Sequence, residues 1–523
     1  MPAITNASSR AIRPMNPASG EILGAVECAD EAEVRGAVDR ARSSQRRWAD
    51  VGVRKRIDVI RNFQRNLARK QREIAEAITR EAGKPAAEAL STEVLVVLDG
   101  ARFLIENAYR LLADETVPHG NIAAKMKRGR LIREPYGVIG IISPWNYPFS
   151  IPASEALAAL AAGNAVVLKP SEFTPWVARE LESLLLAAGL PEHVFQVVAG
   201  DGATGAALVE SEIDKLIFTG SVSTGRRIAA MAGSRLLPVV LELGGKDPML
   251  VLDDADLDVA SSAAVWGAFM NAGQTCLSVE RCYVHRSRYP EFLKACAEKA
   301  GKLRVGPGTD AGSDIGPLIH EKQIGIVEAQ VQDALAAGAR IVTGGQRLPK
   351  LGRNFYAPTV LADVNHQMRI MREETFGPVL PVMPFDTDEE AVALANDSEY
   401  GLAASVWTGN RERGEGLADR LQAGTVMIND VISCYGISEA PHGGMKASGI
   451  GRTHGQSGLE EMVRMKYVDS DLIPGIKKVW WYPYGKDFAS GIEGFIGWQY
   501  ARGRGGRIRG LFQSAGLLRN RKR

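Results

Sequence analysis

Cysteine is scarce in this 523-residue chain, with five in all, at positions 28, 276, 282, 296 and 434. An odd number without paired spacing excludes a disulfide framework and a cysteine-based zinc site. It points to a reducing, cytoplasmic setting in which a free thiol persists. Net charge is scarce too. Lys and Arg number 63 against 61 Asp and Glu, leaving +2, which removes any global argument for nucleic acid or an acidic partner. Long apolar runs are missing. The longest uncharged apolar stretch, Ala156 to Leu168, falls short of the roughly 20 residues that a membrane span needs and reads as a buried helix running into a strand. The first twenty residues lack the apolar core of a signal peptide.

What is present is a globular composition, 45% apolar and 24% charged, in a chain too long for one ordinary core. Helical spacing of apolar residues dominates Ala32 to Trp48 and Val53 to Glu81. After Arg133 the texture changes. Short β-branched runs at 137–142, 165–168, 195–198 and 215–218 are each followed by a turn and a helix-like segment, and the pattern recurs at 247–252, 340–343, 379–382 and 425–428. Strand–helix alternation predicts α/β architecture with two doubly wound parallel sheets. The polar, alternating segment 116–135 reads as a protruding hairpin.

Three motifs carry chemistry. Asn271-Ala272-Gly273-Gln274-Thr275-Cys276 contains a thiol, Leu241-Glu242-Leu243-Gly244-Gly245-Lys246 a carboxylate, and Ser143-Pro144-Trp145-Asn146-Tyr147-Pro148 a side-chain amide. These are the groups needed to make and hydrolyse a thioester. Their order and spacing resemble the aldehyde dehydrogenase superfamily, from about residue 12 to about residue 468. The resemblance implies a Rossmann-like NAD-binding domain (1–115 and 136–243), a catalytic domain (244–440) and a small β oligomerisation flap (116–135 and 459–468) in a homodimer or homotetramer.

It also implies roles. Cys276 is the expected nucleophile, since a thiolate attacks an aldehyde carbon far better than a hydroxyl. Asn146 and the Cys276 N–H are expected to donate to the tetrahedral oxyanion. A nicotinamide must take the hydride, because no side chain can. Glu242 is the expected general base for the hydrolytic water, its proton affinity raised by an apolar setting. No metal is required. Cys282, Cys296 and Cys434 keep the ordinary reading of small buried residues, and His442, in a Gly-rich segment, that of a structural residue.

For the cofactor, Gly200-Asp201-Gly202-Ala203-Thr204-Gly205 fits a dinucleotide fingerprint but lacks its distal acidic partner, so it is given mainly a turn role. The resemblance assigns the pyrophosphate to Gly220, Ser221 and Gly225, where hydroxyl and backbone N–H groups open a helix. Trp145, Ser171 and Leu243 complete the expected set. Lys169 and Glu172 look like the ribose pair. The Glu172 carboxylate repels an added 2′-phosphate, which favours NAD over NADP. Glu374 would hold the second ribose, and Phe376 would flank the ring.

The end of the chain is different. Residues 471–523 hold eleven Lys or Arg against three Asp or Glu, about +8, leaving the remainder at about −6. Trp480, Trp481 and Trp498 lie here. Ile492, Phe495, Ile496, Ile508, Leu511, Phe512 and Ala515 recur at helical spacing among Arg502, Arg504, Arg507 and Arg509. Three readings stand: residues 475–523 touch an anionic membrane surface, they pack on a neighbouring subunit, or they are a solvated end. Gly491, Gly494, Gly497, Gly503, Gly505, Gly506 and Gly510 weaken any helix there.

The expected activity is therefore oxidation of an aldehyde to a carboxylic acid with NAD. The substrate is either a medium- or long-chain or aromatic aldehyde, or succinate semialdehyde. A carboxylate-bearing substrate needs a cation in the tunnel, for which Arg281 is the candidate. The rivals are a CoA-acylating dehydrogenase, which needs no hydrolytic base, and a catalytically retired protein on the same fold.

Overall fold

The computed structural model describes residues 10–121, 124–475, 477–515 and 517. Of the segments read above, residues 1–9, positions 122 and 123 of the hairpin, and positions 476, 516 and 518–523 of the basic extension lie outside the described residues. The chain divides into two compact units. One comprises residues up to Ala113 with Arg133–Arg464, the other Asp114–Ile132 with Met465 onward.

Two mostly parallel sheets carry the larger unit. The first has six strands in the order Gly449–Ile450, Val239–Glu242, Lys215–Thr219, Val138–Ile142, Ala165–Lys169, Phe195–Val197. Only the edge strand Gly449–Ile450 runs antiparallel. The chain starts this sheet at Val138–Ile142, steps outward through the 165 and 195 strands, then returns to the other side with the 215 and 239 strands. That reversal opens a crevice at the carboxyl ends of Val138–Ile142 and Lys215–Thr219, the place where such sheets bind ligands. Every residue of Val138–Ile142 is buried, as expected where helices cover both faces.

The second sheet has seven strands: Arg340–Thr343, Thr359–Ala362, Val379–Phe385, Val279–His285, Asp247–Val251, Ala403–Trp407 and Thr425–Ile428. Only the first pair is antiparallel. Each sheet has its own apolar core, and Tyr147 and Ile151, beyond the first strand of the first sheet, belong to the core of the second. The N-terminal helices follow their sequence signals. Glu31–Asp50 starts at a capping box between Asp30 and Glu33. Gly52–Ala82 stops at the left-handed Gly83. The apolar run beginning at Ala156 resolves into the helix Ser150–Ala162 and the strand Ala165–Lys169.

One buried ion pair ties helix to loop. Lys84 Nζ lies 2.7 Å from Glu93 Oε1, with both side chains fully buried. It also sits 3.7 Å from the centroid of the Tyr147 ring. The other Glu93 oxygen accepts the N–H groups of Phe149 and Ser150 at 2.8 and 3.1 Å. This pair fixes the segment that carries Asn146.

In the smaller unit, Glu115–Val117, Lys127–Pro135 and Val463–Asp471 form a three-stranded sheet. The last strand starts at Val463. The preceding residues Gly455–Glu460 are helical, with Leu459 and Met462 buried in the first core. The basic extension holds two helices, Phe488–Tyr500 and Arg504–Ser514, packed on each other. The glycines make this packing feasible. A Cβ at Gly510 would lie 2.2 Å from the Trp498 nitrogen, and one at Gly494 2.4 Å from that of Ser514. The roughly 1 kcal/mol that each glycine costs a helix is thus offset by close backbone approach. Among the described residues no helix is long and apolar enough to cross a membrane.

Removing one partner of a buried pair strands the other charge, at a cost of about 3–5 kcal/mol. Glu93→Ala is therefore expected to lose that much in urea unfolding, while the double change Lys84→Met with Glu93→Leu loses clearly less. A Glu93→Ala loss below about 1 kcal/mol, the size of an exposed pair, would contradict this account.

Candidate active site

Cys276 follows the helix Leu257–Phe269 through a tight left-handed turn. Asn271, Ala272 and Gly273 have φ of 53°, 56° and 74°. Positive φ strains the first two, and a Cβ at Gly273 would lie 2.1 Å from the Gly377 carbonyl oxygen. Side-chain amides hold the turn. Gln274 donates to the Asn271 carbonyl at 2.9 Å and accepts from the Ile319 N–H at 2.8 Å. Asn271 donates to the Asn146 and Gln274 carbonyls at 3.1 and 3.2 Å. Asn146 donates to the Gln274 carbonyl at 3.0 Å, and its second N–H has no acceptor among the described residues. The Tyr147 hydroxyl meets Thr275 Oγ1 at 2.8 Å. The amide and thiol motifs, about 130 residues apart in sequence, are thus joined directly.

Glu242 ends the strand Val239–Glu242, where it pairs with Gly449. It is buried, and neither carboxylate oxygen has a hydrogen-bond partner among the described residues. Burial pushes its pKa well above the usual carboxylate range. Neighbouring Glu155 adds to the shift and Arg452 opposes it. Glycine brings the end of this strand close to the thiol segment, since a Cβ at Gly245 would lie 2.5 Å from the Cys276 carbonyl oxygen. Glu242 and Cys276 line the same small cavity. Cys276 also lines a second cavity, a tunnel of about 200 Å³ walled by Val96, Ile151, Trp266, Met270, Leu277 and Ile432, among others. Its polar lining comes from hydroxyls such as Thr92 and Ser433, and no charged side chain of the described residues faces it.

A separate cleft of about 530 Å³ lies at the carboxyl ends of the first sheet's strands. Trp145, Lys169, Ser171, Glu172, Gly220 and Ser221 all line it. Lys169 Nζ is 3.8 Å from Glu172 Oε2. Gly202 and Gly205 also line it, so the fingerprint-like loop does more than turn the chain. The Asp201 carboxylate, however, already accepts from the N–H groups that open the helix Gly202–Glu210. That end is filled by a negative charge. The helix Val222–Ser234 opens with the uncharged Ser221, which suits an anion better. Phe376, at φ 50°, presents its ring edge-on to Trp145 with centroids 5.4 Å apart.

Four expected cofactor residues do not line this cleft, and of these Phe376 reaches it only through its contact with Trp145. Gly225 is buried against Leu243, where a Cβ would meet that side chain at 2.5 Å. Leu243 lines the Glu242 cavity. Glu374 is half-buried, its pKa pushed up to about 8 by desolvation first and then by Glu280, and it accepts the Gly245 N–H at 3.1 Å. Arg281 is a correction. It is 1% exposed and donates to the carbonyls of Lys246, Leu394 and Ala395, and it does not line the tunnel. A cation two residues into a buried strand is needed for backbone carbonyls, not for a ligand. Sequence reading also missed Glu155, Tyr435 and His454, which line the Glu242 cavity, and undervalued His442, whose Nε2 is 3.7 Å from Glu242 Oε2. No motif flags them, because they come from four separate segments.

Burial also raises the Cys276 thiol well above its ordinary value of 9.0, with further contributions from Asp247 and Glu374. The thiol is protonated below its pKa, so its thiolate is a minor species at pH 7 in the cofactor-free protein. Iodoacetamide labelling of Cys276 is expected to quicken about tenfold per pH unit from 7 to 9. A plateau below pH 8.5 would show a thiolate already formed.

Known proteins supply the family. The aldehyde dehydrogenase family profile matches residues 4–468. The chain is 41% identical over 491 residues to 4,4'-diapolycopene aldehyde oxidase of Methylomonas sp, covering 93% of this chain and 90% of that one. It is 41% identical over 474 residues to a putative succinate-semialdehyde dehydrogenase (NADP+) of Mycolicibacterium smegmatis, covering 90% of each. The structure of a Bacillus cereus aldehyde dehydrogenase in complex with NAD+ matches with a TM-score of 0.85 at 36% identity, covering 89% of this chain and 94% of that one. The chain belongs to the aldehyde dehydrogenase family.

Proposed function

We propose that this enzyme oxidises an apolar aldehyde, medium- to long-chain or aromatic, to the carboxylic acid, with NAD favoured over NADP. The observation that carries the reading is the tunnel ending at Cys276, whose lining is apolar and hydroxylic without a charged side chain. A carboxylate-bearing semialdehyde would lose its hydration there and gain no counter-ion. The names of the relatives pull both ways, the Methylomonas one towards an apolar aldehyde and the Mycolicibacterium one towards succinate semialdehyde. The tunnel lining favours the former.

Cys276 attacks the aldehyde carbon. The free N–H of Asn146 and the backbone N–H of Cys276 stabilise the oxyanion, a contribution that in such sites reaches about 10²–10³ in kcat per donor. When bound, a nicotinamide dinucleotide supplies the two-electron acceptor that makes the Cys276 adduct a thioester. The cleft fits it. Ser221 and Gly220 open an uncharged helix terminus, Lys169 and Glu172 face a ribose, and Trp145 and Phe376 flank a ring. In this reading the first sheet is the nucleotide domain and the second the catalytic one, while Gly225, Leu243 and Glu374 shape the walls. Glu242 then takes a proton from the hydrolytic water. A base poised beside the thioester argues against transfer to CoA, and the joined Asn146, Glu242 and Cys276 set argues against a retired enzyme.

The chain acts as a cytoplasmic homodimer or homotetramer in this reading, with the three-stranded sheet as its flap. The extension makes peripheral contact with anionic membranes. Its helices expose Ile496, Ile508, Leu511 and Phe512 beside Arg504, Arg507 and Arg509, the pairing of apolar and cationic groups that interfacial helices use.

Across an aldehyde panel, kcat/KM for decanal or benzaldehyde is expected to exceed that for succinate semialdehyde by about tenfold or more, the ~1.4 kcal/mol that separates one decade. Preference for succinate semialdehyde would overturn the substrate class. On anionic vesicles the full chain is expected to co-float and to be released by 0.5 M salt (a Debye length of about 4 Å). Equal flotation of a chain ending at Pro474 would remove the membrane reading.

A further inference from the structure

The hydrolytic step leaves a proton with no evident exit. As water adds to the thioester carbon, its O–H proton passes to Glu242. The C–S bond then breaks, the carboxylic acid leaves and Cys276 keeps the electron pair. Glu242 must shed that proton before the next cycle, yet it is buried and its oxygens have no hydrogen-bond partner among the described residues.

The cavity it faces, about 50 Å³, is large enough for a few waters. It is lined by a cluster of polar groups that also lack hydrogen-bond partners among the described residues: Ser154 Oγ, Glu155 Oε2, His442 Nδ1 and both ring nitrogens of His454. Buried polar groups in folded proteins are almost always hydrogen-bonded to protein or water, so this concentration in one cavity marks a hydrated site. Its geometry is held. The Tyr435 ring meets His442 and His454 edge-on, with centroids at 5.0 and 4.6 Å, and the two imidazoles are 6.0 Å apart. His442 and Thr453 are joined by paired backbone hydrogen bonds of 2.7 and 2.8 Å. His454 adopts φ 59°, a strained conformation for a residue with a side chain, of the kind found at functional sites. His442 is the inner ring, 3.7 Å from Glu242. His454 is the outer one, in a half-buried residue next to the exposed Gln456.

We propose that His442 and His454 are the proton exit of the hydrolytic base, carrying the proton from Glu242 through cavity water to the surface beside Gln456. The proposal rests on the hydrolytic reading of Glu242. Each neutral ring accepts a proton on one nitrogen and releases one from the other, so no net charge is stored. Burial keeps both rings neutral, with pKa values lowered to about 3 for His442 and about 4 for His454. Glu155, raised to about 8 by burial, is held as a neutral acid at pH 7 and bridges the same water. Of the other ionisable groups near the cavity, Cys276 is the reacting thiol, Tyr435 packs edge-on against both rings, and Arg452 donates to the carbonyls of Gly444 and Gly451. His442 and His454 touch neither substrate nor cofactor and act as positioning residues for the proton.

The test is rapid-mixing kinetics of His454→Leu and His442→Phe with NAD and an accepted aldehyde. The NADH burst, which reports acylation, is expected to keep its rate within about twofold. Steady-state kcat is expected to fall at least about tenfold, a threshold set below the 10²–10⁴ of a group that itself performs general acid–base catalysis, with a larger D₂O effect. Added imidazole is expected to restore turnover in His454→Gly but not in Glu242→Gln. Unchanged kcat in both variants overturns the proposal. So does a fall in kcat with no rise in the D₂O effect and no rescue, which marks a packing role. If His454→Leu does not fold, His454→Asn carries the same test. A wild-type enzyme that forms NADH and an acyl adduct on Cys276 but releases no carboxylic acid without CoA would overturn the hydrolytic reading itself, a result separable from intact hydrolysis that the histidine changes leave unaffected.

Discussion

The left-handed turn at Asn271, Ala272 and Gly273 is the constraint on which the site depends. Two of its residues pay a conformational cost, and a web of side-chain amides meets it: Gln274 closing the turn, Asn271 reaching the Asn146 carbonyl, and Asn146 reaching back to Gln274. The same bonds that hold the turn fix the position of the Cys276 thiol relative to the Asn146 amide, the proposed oxyanion donor. The Lys84–Glu93 pair anchors the other end of this arrangement by binding the N–H groups just past Asn146. Stability and reactivity are therefore coupled through one network. A change that loosens the turn moves Cys276, the proposed nucleophile.

Desolvation dominates the electrostatics. Glu242, Glu374, Glu155 and Cys276 are all shifted towards their neutral forms with burial as the first cause. A site built this way stores little charge at rest. Its acid and base groups become active as the reaction moves protons and electron pairs among them, which suits a base that works once per cycle and an apolar tunnel that excludes hydrated, charged substrates.

Much of this was legible in the chain. The strand runs at 137–142, 165–168 and 215–218 declared a parallel sheet because full burial leaves apolar residues on both faces. The Cys276, Glu242 and Asn146 motifs declared themselves because each is a short contiguous pattern. Glu155, His442 and His454 did not. They meet only when a helix and two loop segments joined at His442 and Thr453 pack together, and a lone histidine in a Gly-rich stretch looks structural. Arg281 misled for a related reason. Nearness to Cys276 in sequence says nothing about direction, and its strand points the guanidinium at backbone carbonyls. In the extension the glycines read as helix breakers, whereas Gly494 and Gly510 sit where two helices touch.

The central claim is that Glu242 hydrolyses a thioester carried by Cys276. The most direct measurement is intact-mass analysis of Glu242→Gln mixed with NAD and decanal, followed by peptide mapping. The account predicts one equivalent of NADH and a stable acyl adduct, removable by hydroxylamine, on the peptide that contains Cys276. Full turnover by Glu242→Gln with no adduct, or an adduct on another residue, would contradict it.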